Sequence, residues 1–308
     1  MSKTAFLFAG QGAQTVGMGH DLYETCGAAR KVFDMGDAIR PGTSALCFEG
    51  PGDALTLTEN TQPCLFLTDL ACAAALKDAG VEADAAAGFS LGEIPALAYA
   101  GVLSYEDAFR LVTARGSAMA QCAKDHPGAM AAVLKLDNSA VEAVCSHYKD
   151  IYPVNYNCPG QLACAGSAEE IDAFCDEIKS LGGRAVKLAV SGAFHTPFMR
   201  PATEALHGVL ADMKMSPAEM PLYCNTTGKP YPNDIESLRK MIAEQASHSV
   251  RWEDSIRDMY ARGIDTFIEL GAGATLSGLC KRILPEGCRI LRVGDTESLA
   301  KTLEALGA

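Results

Sequence analysis

A serine between two glycines is the residue of this chain with the clearest capacity for chemistry. Gly88, Ser90 and Gly92 form the pattern G-x-S-x-G within the segment AAAGFSLGE. In this pattern a strand turns sharply into a helix, and the serine hydroxyl stands at the helix N-terminus as a nucleophile. Glycine is favoured on both sides because the turn leaves little room for a Cβ atom. An ordinary strand-to-helix turn with a capping serine remains the alternative.

A serine nucleophile needs a base, and histidine is the usual one. Of the histidines, His126, His195 and His248 are predicted to lie in connections between elements. His195 closely follows a predicted strand in the segment KLAVSGAFHTP, where Pro197 stiffens the chain. Because loops at a sheet edge are where catalytic groups are commonly placed, His195 is the predicted base.

Arg115 is predicted to lie on the buried face of a helix. With steps of about 100° per residue, it shares one apolar stripe with Val112 and Met119, whereas Arg110 points the other way. A buried guanidinium needs an anion, because an unpaired buried charge is costly. The partner is either an internal Asp or Glu or the carboxylate of a substrate, which guanidinium binds bidentately.

The elements that carry these residues alternate between strand and helix, which predicts a parallel sheet covered on both faces. Strands of this sheet are predicted at residues 4–10, 83–89, 221–225, 265–271 and 289–294. From Gly128 the predicted order changes to β-α-β-β-α-β, the ferredoxin-like unit. The prediction is an α/β fold with a hydrolase-like parallel-sheet core over residues 1–126 and 191–308. A ferredoxin-like subdomain at residues 127–190 is inserted in this core.

Composition argues against several classes of function. The net charge of −12 argues against a nucleic-acid partner, which needs a basic face. No apolar run approaches the ~20 residues of a membrane helix, and the N-terminus lacks a signal peptide, so we predict a cytoplasmic protein without a membrane partner. The twelve cysteines include no C-x-x-C pair and H-E-x-x-H is absent, so no metal site is predicted.

Short motifs of one enzyme family occur in order along the chain. They are GQGAQ at residues 10–14, TQP at 61–63, the serine motif, ARGSAM at 114–119, GAFHT at 192–196, EQ…VRW at 244–252 and ELGAG at 269–273. On these motifs the sequence is identified as similar to the malonyl-CoA:acyl carrier protein transacylases, acyltransferases of fatty acid and polyketide synthesis. The resemblance runs from Phe8 to about Ile283.

The resemblance implies a ping-pong transfer of malonyl from malonyl-CoA to the phosphopantetheine thiol of acyl carrier protein. Ser90 would carry the malonyl group, and His195 would accept the serine proton. The backbone N–H groups of Gln11 and Leu91 would form the oxyanion hole. Arg115 would clamp the malonyl carboxylate.

The resemblance also assigns residues around this centre. Gln62, Met119 and Phe194 would contact the substrate, and the backbone near Gln245 would orient the histidine in place of a triad aspartate. In related polyketide acyltransferases, phenylalanine at the position of Phe194 goes with malonyl and serine with methylmalonyl. No cofactor is implied besides the two substrates.

Three other functions use the same residues in different ways. The chain resembles a trans-acting acyltransferase of a polyketide assembly line as much as a transacylase of fatty acid synthesis, because both catalyse the same malonyl transfer. An acyl-thioester hydrolase would use Ser90 and His195, but ordinary ester substrates carry no carboxylate for Arg115. A non-catalytic docking module is disfavoured because every catalytic position is filled.

Two positions depart from the family pattern. Phe89 stands where the family usually has histidine, and His248 with Ser249 stands where Asn-Pro or a similar pair is usual.

The carrier protein is expected to be acidic, and this chain is acidic as well. We therefore predict that the carrier docks on a local basic patch. The patch consists of Lys179, Arg184 and Lys187.

Overall fold

The computed structural model describes residues 2–190 and 192–307, whose strands form two separate sheets. The strands are β1 (Thr4–Phe8), β2 (Ala85–Gly88), β3 (Gly128–Leu134), β4 (Ile151–Cys158), β5 (Gln161–Ser167), β6 (Arg184–Lys187), β7 (Leu222–Cys224), β8 (Lys229–Pro230), β9 (Thr266–Leu270) and β10 (Arg289–Val293). The helices are α1 (His20–Thr25), α2 (Gly27–Ile39), α3 (Thr43–Glu49), α4 (Gly52–Leu55), α5 (Thr58–Asp78), α6 (Glu93–Tyr99), α7 (Tyr105–Asp125), α8 (Asn138–Cys145), α9 (Ile171–Ser180), α10 (Arg200–Ala211), α11 (Ile235–Glu244), α12 (Trp252–Ala261), α13 (Thr275–Ile283) and α14 (Thr296–Leu306).

Strand β1 lies in the middle of the larger sheet and contributes to two cores. The strand order is β10-β9-β1-β2-β7-β8, and all described neighbours are parallel except β7 and β8. Ala5 and Leu7 belong to one apolar core, and Phe6 and Phe8 to the other. A strand covered by helices on both faces needs such a continuous apolar run. The α/β parallel-sheet core predicted from the sequence is confirmed.

The carboxyl ends of the central strands define a crevice. From β1 the chain continues to β2 and β7 on one side, whereas β9 and β10 lie on the other side. In open α/β sheets, ligands bind outside the carboxyl ends of the strands at such a switch point. The loop at Gln11 leaves β1 at this edge, and Ser90 follows β2 there.

The smaller sheet is antiparallel, with the strand order β4-β5-β3-β6. Val133 and Leu162 on one face pack with Phe174 of α9 in a separate apolar core. The other face carries Asn155, Ala163 and Ala132 side by side on three neighbouring strands. The chain order β-α-β-β-α-β and this strand arrangement confirm the predicted ferredoxin-like subdomain.

Element ends differ from the prediction where distant contacts intervene. The helix predicted over residues 139–149 ends at Cys145, because His147 and Tyr148 turn toward the Glu177 carboxylate of α9 at 2.8 and 2.9 Å. The predicted domain boundary at Ser191 lies outside the described residues. Among the described helices, none is long and apolar enough to cross a membrane.

Candidate active site

Ser90 lies on a sharp turn between β2 and α6. Its φ of 55° is in the left-handed region that L-residues rarely adopt. A Cβ atom on Gly88 would lie 1.9 Å from the backbone of Gly92, and one on Gly92 would lie 2.3 Å from the carbonyl oxygen of Phe8. Both glycines of the motif are therefore required by close backbone contacts. The half-buried serine hydroxyl faces the crevice at the sheet edge.

His195 meets the serine from the other side of the crevice. The distance between His195 Nε2 and Ser90 Oγ is 2.7 Å. The His195 Nδ1 atom faces the backbone carbonyl oxygens of His248 at 3.0 Å and Gln245 at 3.2 Å. With the proton on Nδ1 donated to these carbonyls, Nε2 is left to accept the serine proton. Backbone oxygens therefore occupy the place of a triad aspartate.

The imidazole is held in its neutral form. His195 is only 4% exposed. Burial, and secondarily the positive charge of Arg115, lower the pKa of His195 to about 4, while the hydrogen bonds to the two carbonyls oppose the shift. A group with this pKa carries no proton on Nε2 at neutral pH, as a general base requires.

Arg115 is a buried cation with neutral hydrogen-bond acceptors. Its guanidinium donates to Gln62 Oε1 at 2.8 Å, to Gln245 Oε1 at 2.8 Å and to Ser90 Oγ at 3.3 Å. Burial lowers its pKa to about 10, partly offset by the charge of Glu93, so it stays protonated at pH 7. No carboxylate among residues 2–190 and 192–307 forms a salt bridge with it, so the internal acid that the sequence left open is not found.

The backbone N–H groups of Gln11 and Leu91 are the candidates for an oxyanion hole that the family resemblance implies. Neither Gln11 N–H nor Leu91 N–H has an acceptor within the described part of the chain. The loop that carries Gln11 lies directly against the serine turn, because a Cβ atom on Gly10 would lie 2.6 Å from Phe89 O. The cavity beside Ser90 has a volume of about 110 Å³, and Gln11 lines it whereas Leu91 does not. Its lining includes the predicted site residues Gln11, Gln62, Ser90, Met119, Phe194 and His195.

A second cavity of about 240 Å³ adjoins the first and shares Gln11 and Phe89 with it. It lies between the face of the small sheet that bears Ala132 and Ala163 on one side and the loop after β1 with the first turns of α13 on the other. Two asparagines of β4, Asn155 and Asn157, line it, and their buried Oδ1 atoms have no hydrogen-bond partner among residues 2–190 and 192–307. A buried amide oxygen without a partner is costly, which makes this groove suited to a ligand that donates hydrogen bonds.

The sequence prediction missed a buried polar network behind the serine. The Glu93 carboxylate accepts hydrogen bonds from Asn225 N–H at 2.7 Å and from the Tyr231 hydroxyl. Burial raises the pKa of Glu93 to about 7, against the lowering effect of these donors. In the sequence, Glu93 directly follows the glycine of the motif and Asn225 ends a predicted strand, a position typical of site residues.

Two other predicted features look different in the structure. Phe89 packs against Trp252, with the ring centroids 5.5 Å apart, so its side chain joins an apolar contact. In the predicted basic patch, Lys187 pairs with Asp172 and Lys179 with Asp176, both at 2.8 Å. Two of the three positive charges of this patch are therefore paired with exposed carboxylates, and docking of an acidic carrier there stays a prediction.

Comparison with known proteins places this site in a family. Residues 5–297 match the acyl transferase domain. The chain is 39% identical to the malonyl CoA-acyl carrier protein transacylase of Bacillus subtilis (strain 168), over 99% of this chain and 98% of that protein. It shares 36% identity and a TM-score of 0.93 with the acyl-carrier-protein-S-malonyltransferase from Bartonella henselae, covering 99% of this chain and 100% of that one.

A further solved structure is a type II PKS acyl-carrier protein in complex with its malonyl-transacylase. The match has a TM-score of 0.94 and 32% identity, and it covers 99% of this chain and 100% of that one. In all three cases the similarity extends over nearly the full length of both proteins. The chain belongs to the acyl transferase domain family.

Proposed function

We propose that this protein transfers malonyl from malonyl-CoA to the phosphopantetheine thiol of an acyl carrier protein. The observation that carries the proposal is the Arg115 guanidinium, a buried cation 3.3 Å from the Ser90 hydroxyl, whose acceptors among the described residues are all neutral. A carboxylate on the acyl group gives this cation a direct ion-pair partner, which no carboxylate among the described residues provides. The names of the similar proteins support the same substrate and acceptor.

The first half-reaction forms a malonyl-serine ester. As Ser90 Oγ attacks the thioester carbonyl carbon, His195 Nε2 accepts the hydroxyl proton. The N–H groups of Gln11 and Leu91 donate to the oxyanion, a contribution of about 3 kcal/mol per donor. The intermediate collapses by breaking the C–S bond, and the imidazolium returns its proton to the CoA sulfur. The backbone oxygens of Gln245 and His248 stabilise the imidazolium.

The second half-reaction reverses these steps with another thiol. The thiol of the carrier's phosphopantetheine arm gives its proton to His195 and attacks the ester carbonyl. Ser90 then leaves as the alcohol, and the malonyl group is bound to the carrier. We propose that no cofactor takes part, because attack, proton transfer and charge stabilisation are each assigned to a group of this chain.

The second cavity is the proposed path of the pantetheine arm. CoA and the carrier both present this arm, which contains two secondary amides. Asn155 Oδ1 and Asn157 Oδ1 offer unpaired acceptors for their N–H groups. Ala132 and Ala163 leave room for the arm on the sheet face. We further propose that the domains are residues 1–126 with 191–308 and residues 127–190, with the arm bound between them.

A cytoplasmic location is part of the proposal. All twelve cysteines are free thiols, which fits a reducing compartment.

The kind of acyl carrier protein that accepts the malonyl group is a separate question, because carriers of fatty acid synthesis and of polyketide assembly present the same thiol. Transfer assays with one purified carrier of each kind would show which acceptor this enzyme prefers.

Intact-mass measurement after mixing with malonyl-CoA alone tests the proposed reaction. We expect a malonyl adduct that is lost when holo-carrier is added, and no adduct on the Ser90→Ala variant. Rapid release of malonate without carrier would instead indicate a hydrolase. Adduct formation on Ser90→Ala, or none on the wild type, would refute the assignment.

A further inference from the structure

Two carboxamides hold the backbone of the serine turn from behind. Asn225 Oδ1 accepts from Ser90 N–H at 2.7 Å, and Asn225 Nδ2 donates to Gly88 O at 2.7 Å. Gln245 Nε2 donates to Ser90 O at 2.7 Å and to Asn225 Oδ1 at 3.2 Å. One asparagine side chain therefore joins the peptide groups on the two sides of Phe89.

The turn needs such support because its backbone is strained. Ser90 has a φ of 55° without being glycine. Residues in this region persist only when their surroundings fix them there. The contacts of Gly88 and Gly92 show that the turn is tightly packed, but packing alone does not orient a peptide group. The Asn225 carboxamide supplies that orientation through one donor and one acceptor.

Asn225 is itself anchored by buried groups. Its N–H donates to Glu93 Oε2 at 2.7 Å, and its carbonyl oxygen accepts from Arg251 N–H at 2.7 Å. The other Glu93 oxygen accepts from the Tyr231 hydroxyl. Asn225 and Glu93 are each 1% exposed, so water does not compete for these bonds.

We propose that Asn225 is a positioning residue for the nucleophile. Its carboxamide holds the Ser90 peptide so that Oγ stays at hydrogen-bond distance from His195 Nε2, and Glu93 with Tyr231 keeps the carboxamide in place. Asn225 lies behind the turn and does not line the cavity of about 110 Å³. The inference rests on the proposed function only in taking Ser90 as the nucleophile.

The Asn225→Ala variant tests the role through the rate of a single turnover. A displacement of about 1 Å in a reacting group can slow a reaction by about 10²-fold. We expect acylation by malonyl-CoA to slow by about that factor. Binding of malonyl-CoA, measured for both proteins in a Ser90→Ala background, should change by less than about threefold. A folded variant that acylates at the wild-type rate would overturn the proposal.

A second reaction separates this proposal from the proposed function. Labelling of Ser90 by a sulfonyl fluoride needs the positioned hydroxyl but no malonyl group. We expect it to slow in Asn225→Ala in parallel with acylation. A wild-type protein that reacts with the sulfonyl fluoride but never with malonyl-CoA would refute malonyl transfer and leave the comparison at Asn225 valid.

The Asn225→Asp variant decides the question if Asn225→Ala does not fold. A protonated carboxyl keeps both an acceptor for Ser90 N–H and a donor for Gly88 O, whereas the ionised form lacks the donor. The acylation rate of Asn225→Asp, divided by that of the wild type, should therefore fall as pH rises and the carboxylate forms. Burial beside Glu93 favours the protonated form. A ratio that stays near one at a pH where titration shows the new carboxyl group to be ionised would overturn the proposal.

Tyrosine variants provide a matched control. Tyr231→Phe removes a hydroxyl that donates to Glu93, and Tyr223→Phe removes one that donates to Asp258, away from the turn. Both sites are buried. We expect slower sulfonyl fluoride labelling only in Tyr231→Phe. Equal labelling rates in the two variants would show that the contact of Tyr231 with Glu93 does not help Asn225 to position the Ser90 hydroxyl.

Discussion

Arg115 and Gln245 are joined by a hydrogen bond of 2.8 Å in which a neutral amide oxygen meets a buried cation. The backbone oxygen of the same glutamine faces His195 Nδ1, and its Nε2 donates to Ser90 O. Gln245 thus contacts the cation, the base and the nucleophile. Because a carboxylate is a stronger acceptor than an amide, substrate binding at Arg115 is favoured without a protein carboxylate having to be displaced.

Arg115→Ala should change substrate selectivity as well as rate. Removing one partner of a buried ion pair costs about 3 to 5 kcal/mol, which corresponds to a loss of roughly 10²- to 10³-fold for malonyl-CoA. Acetyl-CoA has no carboxylate and should lose little. Competition of the two thioesters for the enzyme, read by intact mass, measures the ratio.

Arg110→Ala is the matched control for this prediction. It lies on the same helix, but it is exposed and pairs with Asp107 at 3.2 Å. The Arg110→Ala enzyme should keep the wild-type preference for malonyl-CoA over acetyl-CoA, since exposed ion pairs contribute little to stability. An Arg115→Ala enzyme that kept its preference for malonyl-CoA would contradict the clamp.

The acylation rate should keep its full value to unusually low pH. The reaction needs neutral His195, and its pKa is lowered to about 4 by burial and by Arg115. The base form is present above this pKa and is lost as pH falls through it. In the free enzyme, kcat/KM for malonyl-CoA should therefore stay flat on the acid side down to about pH 5 and fall near pH 4.

Short labelling pulses between pH 4 and 8, with circular dichroism to confirm folding, measure this profile. A limb near pH 6.5, the ordinary value for histidine, that is absent from His195→Ala would contradict the lowered pKa of His195, whereas one that persists belongs to another group such as Glu93, whose pKa is raised to about 7. His195→Ala should be slower by about 10²- to 10⁴-fold and should lack the acidic limb.

Asn157→Ala should weaken binding of the pantetheine arm without affecting the acyl group. One hydrogen bond contributes about 1 kcal/mol, so KM for malonyl-CoA should rise by about fivefold. Malonyl-N-acetylcysteamine lacks the outer amide of the arm, so its KM should rise less in Asn157→Ala than the KM for malonyl-CoA. Steady-state kinetics with both thioesters give the comparison.

Asn138→Ala is the control for the asparagine variant. Asn138 Oδ1 is also buried without a partner, but it lies at the start of α8 and does not line the groove. It should leave both KM values unchanged. Equal increases for the long and the short thioester in Asn157→Ala would remove the groove as the path of the arm.

Local sequence information was sufficient for the serine turn and for the burial of Arg115. The G-x-S-x-G spacing indicates close backbone contacts within a few residues. Helical periodicity indicates which face of the Arg115 helix is buried. Hydrogen-bond partners were not accessible in this way. Gln62 and Gln245 lie 53 and 130 positions from Arg115, and nothing local marks such pairs.

The same limit explains what was missed. Asn225 lies 135 positions from Ser90, and one polar residue at the end of a short strand resembles an ordinary turn residue. The pairing of Lys187 with Asp172, 15 positions earlier on a helix, was missed in the same way. The parallel sheet followed from the alternation of strands and helices, which is a property of the whole chain, and this fold class was predicted correctly.

Phe194 should restrict the acyl group to malonyl. Its ring is 7% exposed and lines the cavity of about 110 Å³ beside Ser90. An added α-methyl overpacks such a site at a cost of about 1 to 3 kcal/mol, so malonyl-CoA should be preferred over methylmalonyl-CoA by at least about fivefold. Phe194→Ser should narrow this gap by admitting methylmalonyl, whereas Phe198→Ser, outside the cavity lining, should not. The two adducts differ by one methylene in mass, and equal labelling of the wild type by both thioesters would exclude Phe194 as the selective residue.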